Sequence, residues 1–154
     1  MGRLALCVTL FFVMALTGPV HGKGTFLADE RLQAEVQRGF EKILDFWRDG
    51  RYEELYDRTY GGSESRERFG EKMSSAPWRP ACCWEKMQDV KVNVSREGRA
   101  TLRARIGLEG AGNGESVTRS FRLLFEEGEW KASRQDILSL AAASKRKKHH
   151  NKWN

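Results

Sequence analysis

Apolar residues recur every three or four positions in the segment that begins at Asp29. They are Leu32, Val36, Phe40, Ile43, Leu44 and Trp47. This spacing places all of them on one face of an α-helix of about five turns. Asp29 suits the N-cap position, and Gly50 suits a left-handed residue after the last turn. The pattern therefore predicts one long amphipathic helix.

Two shorter helices are predicted to follow. The first extends from residue 51 to about residue 59, and two consecutive glycines then end it. Its apolar face consists of Tyr52, Leu55, Tyr56 and Tyr60. The next helix begins at Ser63 or Ser65, because serine is a favoured N-cap residue. It ends before Pro77, since proline interrupts a helix.

After Pro80 the period of the apolar pattern changes from about 3.6 residues to about 2. Four segments alternate in this way, at residues 89–95, 100–108, 117–125 and 130–137. Glycine-containing turns and a polar link separate them, as in antiparallel hairpins. Met87 is out of step with Val90, which predicts a β-bulge or a late strand start. The expected fold is α+β, with N-terminal helices packed on a four-stranded antiparallel sheet.

Residues 1–22 have the pattern of a secretory signal peptide. A basic start containing Arg3 precedes an apolar run over residues 4–17, which is short for a membrane span. Residues suited to cleavage follow, ending at Gly22. The alternative is an uncleaved membrane anchor. We expect a mature chain that begins near Lys23 and is exported to an oxidising compartment, either periplasmic or extracellular.

The net charge of +6 comes from the two ends of the chain. Residues 23–144 contain 21 basic and 21 acidic residues, so the predicted domain is neutral. The C-terminal segment, residues 141–154, is predicted to be a disordered basic tail. Its basic residues are Lys145, Arg146, Lys147, Lys148 and Lys152. Such a tail can contact anionic polymers or membrane surfaces, and the alternative is a solvated end without a partner.

Two short patterns resemble segments of the NTF2-like superfamily of cone-shaped α+β domains. One is FWRDGRYEELY at residues 46–56, and the other is the hairpin EGEWK at residues 127–131. With the order of helices before strands, the resemblance covers roughly residues 29–138. It implies a curved sheet wrapped against a long helix, a conical cavity, and frequently a homodimer through the outer sheet face. Function varies widely among proteins that share a fold.

Histidine is absent from the predicted domain, residues 29–140. The three histidines are His21, His149 and His150. A Ser-His-Asp triad or a multi-histidine zinc site within the domain is therefore excluded, and we predict no metal and no cofactor. An NTF2-like isomerase or lyase would use one of the tyrosines with Asp57 or Asp89. Both carboxylates lie on predicted polar faces. The tyrosines are therefore interpreted as residues that line the wall of the expected cavity, and not as catalytic residues.

Arg119 is a charged residue on the apolar face of the third predicted strand. If that face lines a cone, the guanidinium can bind a carboxylate or another anion among aromatic walls. The predicted ligand pocket consists of Trp47, Tyr52, Tyr56, Trp84, Arg119 and Trp130. The alternative is that Arg119 extends to solvent at the strand end or pairs with a helix carboxylate.

Cys82 and Cys83 are adjacent, and the third cysteine, Cys7, lies in the predicted signal peptide. No further cysteine remains in the mature chain, so an ordinary intrachain disulfide cannot form. Three states of the pair remain possible: two free thiols, a vicinal disulfide, or intermolecular disulfides. We favour partly buried thiols or an intersubunit disulfide, because a soft metal bound by this pair would lack further ligands.

The predicted organisation is a signal peptide (1–22), a linker (23–28), an NTF2-like domain (29–140) and a basic tail (141–154). The expected function is non-catalytic. The exported domain would bind a small apolar or anionic ligand in its cone, or a protein partner through its sheet. The alternatives are the isomerase or lyase with a Tyr/Asp pair, and binding of anionic polymers or membranes by the tail.

Overall fold

The computed structural model describes residues 23–95, 97–110 and 113–142. The predicted signal peptide and the basic residues of the tail lie outside these ranges. In chain order the elements are α1 (Lys23–Arg48), α2 (Tyr52–Asp57), β1 (Thr59–Tyr60), α3 (Arg66–Ser74), β2 (Trp78–Pro80), a 3-10 helix (Cys83–Lys86), β3 (Met87–Val94), β4 (Arg99–Gly110), β5 (Asn113–Glu126), β6 (Glu129–Ser133) and α4 (Arg134–Ala141). None of the described helices is both long enough and apolar enough to cross a membrane.

The strands form one open, mixed sheet in the order β1-β6-β5-β4-β2, and β3 pairs with β4 next to β2. β1 is parallel to β6, and the other pairings are antiparallel. The α+β class is therefore confirmed, but the sheet has six strands rather than the four predicted. β1 and β2 contain only two and three residues, which is too short to show an alternating pattern.

Helix α1 lies against one face of this sheet. Its residues Phe40, Ile43, Leu44 and Trp47 are completely buried, as the helical pattern requires. From the sheet side they meet Leu102, Ile106, Phe121 and Leu123, which are almost fully buried as well. The rings of Phe40 and Phe121 are 4.5 Å apart at their centres. The space between the helix and the sheet is thus filled by apolar side chains.

The helix ends follow the predictions in part. Helix α1 begins at Lys23, so the predicted linker is helical and Asp29 is not its N-cap. No proline lies between these two residues to interrupt the helix. Gly50 does adopt the left-handed conformation after α1, with φ of 73°. Ser65, one of the two candidates, caps α3 by accepting a hydrogen bond from the Arg68 amide at 3.3 Å.

The ends of the strands differ from the predictions more than the ends of the helices do. β6 ends at Ser133, and the predicted continuation to Ile137 is wrong because that residue lies in α4. α4 lies beside the edge of β5, where the Asp136 carboxylate accepts the main-chain N–H of Arg122 at 2.9 Å. The predicted bulge in β3 is present, since the register with β4 shifts between Gln88 and Lys91.

Candidate functional site

Two surface grooves meet at Tyr60 and Arg122. The first, of about 380 Å³, lies between the segment that follows β1 and the start of α4. Its lining includes Tyr60, Glu64, Arg122, Ser133, Arg134 and Leu138. We call it the arginine groove. The second groove, of about 400 Å³, extends from Tyr60 and Arg122 across β5 and β4 to Asn93 of β3. Together they make the continuous concave surface that we take as the candidate site.

Arg134 is the unusual residue of the arginine groove, because it is only 7% exposed yet has no carboxylate partner in the described part of the chain. Its guanidinium stacks on Tyr56, 3.9 Å from the ring centre. Nε donates to the Thr59 hydroxyl at 3.0 Å, and Nη1 donates to the Glu64 carbonyl at 3.3 Å. Arginine has five N–H donors, and buried charges are ordinarily paired. No salt bridge joins this guanidinium to a carboxylate among the described residues, although its charge contributes to lowering the pKa of Glu64 in the same groove.

The other charges of the groove are paired. Asp136 accepts from Nη2 of Arg122 at 2.8 Å and from its Nε at 3.1 Å. Glu64 pairs with Lys72, and this contact is the main cause that lowers the pKa of Glu64. Three cations thus face two carboxylates, which leaves one net positive charge at Arg134.

Tyr60 stands where the two grooves meet and is half-buried. Burial raises the pKa of its hydroxyl above the ordinary value of 10.0, and the nearby Arg122 opposes this shift. The phenol is therefore protonated at neutral pH and can donate a hydrogen bond to an anion next to Arg122 or Arg134.

The structure distributes the residues of the predicted ligand pocket over several places. Trp47 and Trp130 are buried in the core, and neither indole N–H has a hydrogen-bond partner among the described residues. Tyr52 is half-buried on α2. Tyr56 contacts Arg134, and its hydroxyl donates to the Glu64 carbonyl at 3.1 Å.

Arg119 and Trp84 lie elsewhere. Arg119 donates to the Ser139 hydroxyl of α4 at 2.6 Å, and no cation–π contact joins it to an aromatic ring in the described ranges. Trp84 is 73% exposed and lines a shallow groove of about 340 Å³ near β4. A common pocket of the six residues stays a prediction.

The carboxylates considered for catalysis are held in ion pairs. Asp57 accepts two hydrogen bonds from Arg66, at 2.6 and 3.1 Å, and these lower its pKa. Asp89 is exposed and accepts from Nε of Arg105 at 3.0 Å. Within the described ranges, no three His, Cys, Asp or Glu side chains are placed to hold a metal ion.

Cys82 and Cys83 form a vicinal disulfide, which was one of the three states that the sequence left open. The favoured prediction of partly buried thiols or an intersubunit disulfide is therefore wrong for this structure. Both residues are exposed, at the start of the 3-10 helix.

Sequence reasoning missed Arg134 as a site residue, and it considered Tyr60 only as a possible phenol of an isomerase site, not as part of the ligand pocket. They come together because β1 pairs in parallel with β6, which places Tyr60 next to Ser133 and the chain that continues to Arg134. A two-residue strand leaves no periodic signal, and Arg134 fell within a predicted strand.

Comparison with known proteins gives a likeness of fold. No protein-family model matches the chain, and no curated protein matches it. Among solved structures, it is similar to Aln2 from a Streptomyces species, with 12% sequence identity and a TM-score of 0.50. The match covers 72% of this chain and 96% of Aln2. At this identity the likeness extends to the architecture of helices and sheet, and not to an activity.

Proposed function

We propose that this chain is an exported, non-catalytic domain of NTF2-like architecture that binds a small organic anion in the arginine groove. The order of elements and the packing of one long helix on a sheet support the architecture. The observation that carries the binding function is the buried Arg134 guanidinium without a carboxylate partner among the described residues.

The proposed site lies at the surface rather than inside a cone. Phe40, Trp47 and Phe121 are completely buried between α1 and the sheet, where a conical cavity would be expected. A ligand there would have to displace close-packed side chains, which is costly. The arginine groove is open, and about 380 Å³ is within the range of small-molecule sites.

The chemistry of the groove favours a carboxylate with an apolar part. The free N–H groups of Arg134 and the Tyr60 hydroxyl supply donors, and planar guanidinium matches carboxylate geometry. Leu138, which is half-buried in the same groove, offers an apolar contact. The net positive charge of the groove selects against cationic ligands.

Binding of benzoate to the mature chain, measured by titration calorimetry, tests this proposal. Arg134→Gln should weaken binding about tenfold or more, because a hydrogen-bonded charge contributes roughly 1.5–3 kcal/mol. Arg119→Gln is the matched control, since Arg119 contacts Ser139 and lines neither groove. Equal weakening by both variants, or an effect of Arg119→Gln alone, would contradict the proposal. Thermal unfolding of each variant shows whether it is folded.

The Tyr/Asp isomerase or lyase is the alternative, and the geometry does not favour it. A general base has to be free to accept a proton. Asp57 and Asp89 each pair with an arginine instead.

A second function, binding of an acidic partner on the outer sheet face, is supported by the charges of that face. Lys91, Arg99 and Arg103 are exposed there, and Lys91 lies opposite Arg103 in the pairing of β3 with β4. A symmetrical homodimer through this face would bring like charges together. An acidic protein or polymer would instead be attracted, and the basic tail would act in the same direction.

A further inference from the structure

The vicinal disulfide is followed by an exposed tryptophan, Trp84, which is one of the exposed large apolar side chains of the described residues. Cys82 and Cys83 are both exposed, and Trp84 is 73% exposed. Cys83 has a φ of 60°, in the left-handed region that residues with a Cβ rarely occupy. Residues held in this region depend on a surrounding structure that fixes them. Here the covalent bond to Cys82 is the nearest such constraint.

The segment on both sides of the disulfide is fixed by contacts that involve no sulfur. The Ala81 amide donates to the Gly107 carbonyl at 2.9 Å. The main chain of Glu85 lies so close to Gly107 that a Cβ at position 107 would be 2.3 Å from the Glu85 carbonyl oxygen. Lys86 Nζ contacts both Asp45 carboxylate oxygens, at 2.7 and 2.9 Å. The Cys82 amide also donates to a Glu109 carboxylate oxygen at 3.4 Å. We therefore expect the change on opening of the bridge to be confined to Cys83 and Trp84.

We propose that Cys82–Cys83 is a reversible two-electron redox site for thiol reductants, and that Trp84 is the side chain which its reduction repositions. A thiolate of the reductant attacks one sulfur, forming a mixed disulfide and releasing the other cysteine as a thiolate. A second thiol of the reductant then attacks the mixed disulfide. The protein gains two electrons and two protons as two thiols, and the reductant leaves as its disulfide.

Three features support this assignment. Both cysteines are exposed residues, so a thiolate can approach the bridge from solvent. The chain has no cysteine outside the predicted signal peptide other than this pair, so exchange cannot transfer the bridge to another site in the mature chain. Cys83 has a left-handed backbone that opening of the bridge would release, and Trp84 is the next residue in the chain.

The test uses the mature chain, purified after export without reductant. Alkylation with iodoacetamide and intact-mass measurement should give a monomer with no adduct before dithiothreitol treatment and two adducts after it. In buffers of reduced and oxidised dithiothreitol, tryptophan fluorescence should change in one two-electron transition that coincides with alkylation. Two adducts in the untreated protein, or a disulfide-linked dimer, would overturn the proposal.

Two variants assign the fluorescence change. Cys82→Ser/Cys83→Ser should give the fluorescence of the reduced protein in every buffer. Trp84→Phe should keep the two alkylation events and lose most of the fluorescence change. If the change persists in Trp84→Phe, the repositioned side chain is not Trp84, and that part of the proposal fails. Neither variant touches the arginine groove, so benzoate binding should be unaffected.

Discussion

At the scale of single residues, Arg134 shows why charge alone does not define a binding group. A lysine at this position would carry the same charge, but it would lose the planar stack on Tyr56 and the fixed fork of donors. The guanidinium is held by Thr59 and by the Glu64 carbonyl, which orient it without neutralising it. In the proposed anion site, a guanidinium fixed in this way would lower the entropy cost of binding.

Asp57 gives a prediction on the pH dependence of stability. The hydrogen bonds from Arg66 lower the pKa of this carboxyl below its ordinary value of 3.8 in the folded chain. Its contribution to stability is therefore complete above the unfolded pKa and is lost as the pH falls through the folded pKa. Asp57→Asn should match the wild-type free energy of unfolding near pH ~2 and fall below it by pH ~5. Urea unfolding across this range measures the difference.

A double-mutant cycle with Arg66→Gln supplies the control for this prediction. Both side chains are substantially exposed, so the effect should be small. Once Arg66 has been replaced, Asp57→Asn should change the pH dependence much less, because only the weaker attraction of Lys131 still lowers the Asp57 pKa. A pH-dependent difference that survives undiminished in the Arg66→Gln background would show that another group lowers the Asp57 pKa.

The candidate site could be predicted from the sequence only in its chemical class. The pattern indicated an arginine that could bind an anion. It pointed to Arg119, because the sequence shows only that Arg119 alternates in step with the apolar residues of its strand. Arg134 depends on a parallel pairing between two distant short segments. Tyr56 was predicted as a wall residue, and the structure places it under Arg134.

At the scale of elements, the contact between α1 and β6 depends on Gly39. A Cβ at this position would lie 2.9 Å from the Trp130 Cβ, which cannot rotate away. Gly39→Ala should destabilise the protein by about 1–2 kcal/mol, because overpacking exceeds the gain in helix propensity. Gly70→Ala in α3 is the matched control, since the nearest atom, Tyr52 Cβ, is 3.8 Å away. The control should stabilise the protein by roughly 0.5–1 kcal/mol, and equal effects in unfolding experiments would contradict this account.

Gly107 has a similar role between β4 and the 3-10 helix. Gly107→Ala would bring a methyl group to 2.3 Å from the Glu85 carbonyl oxygen, so the 3-10 helix would have to move. We expect a loss of about 2 kcal/mol or more in the free energy of unfolding, with altered Trp84 fluorescence. Gly114→Ala, whose nearest atom is 3.9 Å away, should change neither quantity by much. A Gly107→Ala variant with unchanged stability and unchanged fluorescence would contradict this account of Gly107.

The elements that the sequence predicted are those with a sustained period. The amphipathic face of α1 and the alternation of β3 to β5 follow directly from burial on one face. The tight turn at Glu127 and Gly128 was also predicted, and both residues have a positive φ. β1, β2 and the start of α4 could not be predicted, because their conformation is set by neighbours distant in sequence.

At the scale of the whole molecule, several exposed basic residues lie together on the part of the outer sheet face formed by β3 and β4. The domain is neutral in total, yet the outer sheet face presents Lys91, Arg99 and Arg103. The nearest carboxylate contact of Arg99 is Glu97, at 4.0 Å. Because these basic residues occupy one part of the surface, an acidic partner would be attracted to that part and would approach in one orientation.

Binding to poly-glutamate, measured as a function of salt, tests this orientation. Lys91→Glu/Arg103→Glu should weaken binding about tenfold or more and reduce its salt dependence, because fewer counterions are released. Arg31→Glu/Arg68→Glu changes the net charge equally at exposed positions of α1 and α3. If the control variant weakens binding as much, binding depends on the net charge of the chain and not on the position of the charges.

Deletion of residues 145–154 measures the separate contribution of the tail. Sedimentation at low salt should show a monomer.

The position of α4 at the edge of β5 has a consequence for the order in which the chain is completed. β5 is synthesised before α4, so the Arg122 amide cannot donate to Asp136 until α4 has emerged. An uncovered strand edge can pair with the edge of another chain. Chains truncated before Asp136 should therefore aggregate more readily than the full chain, because this part of β5 stays uncovered.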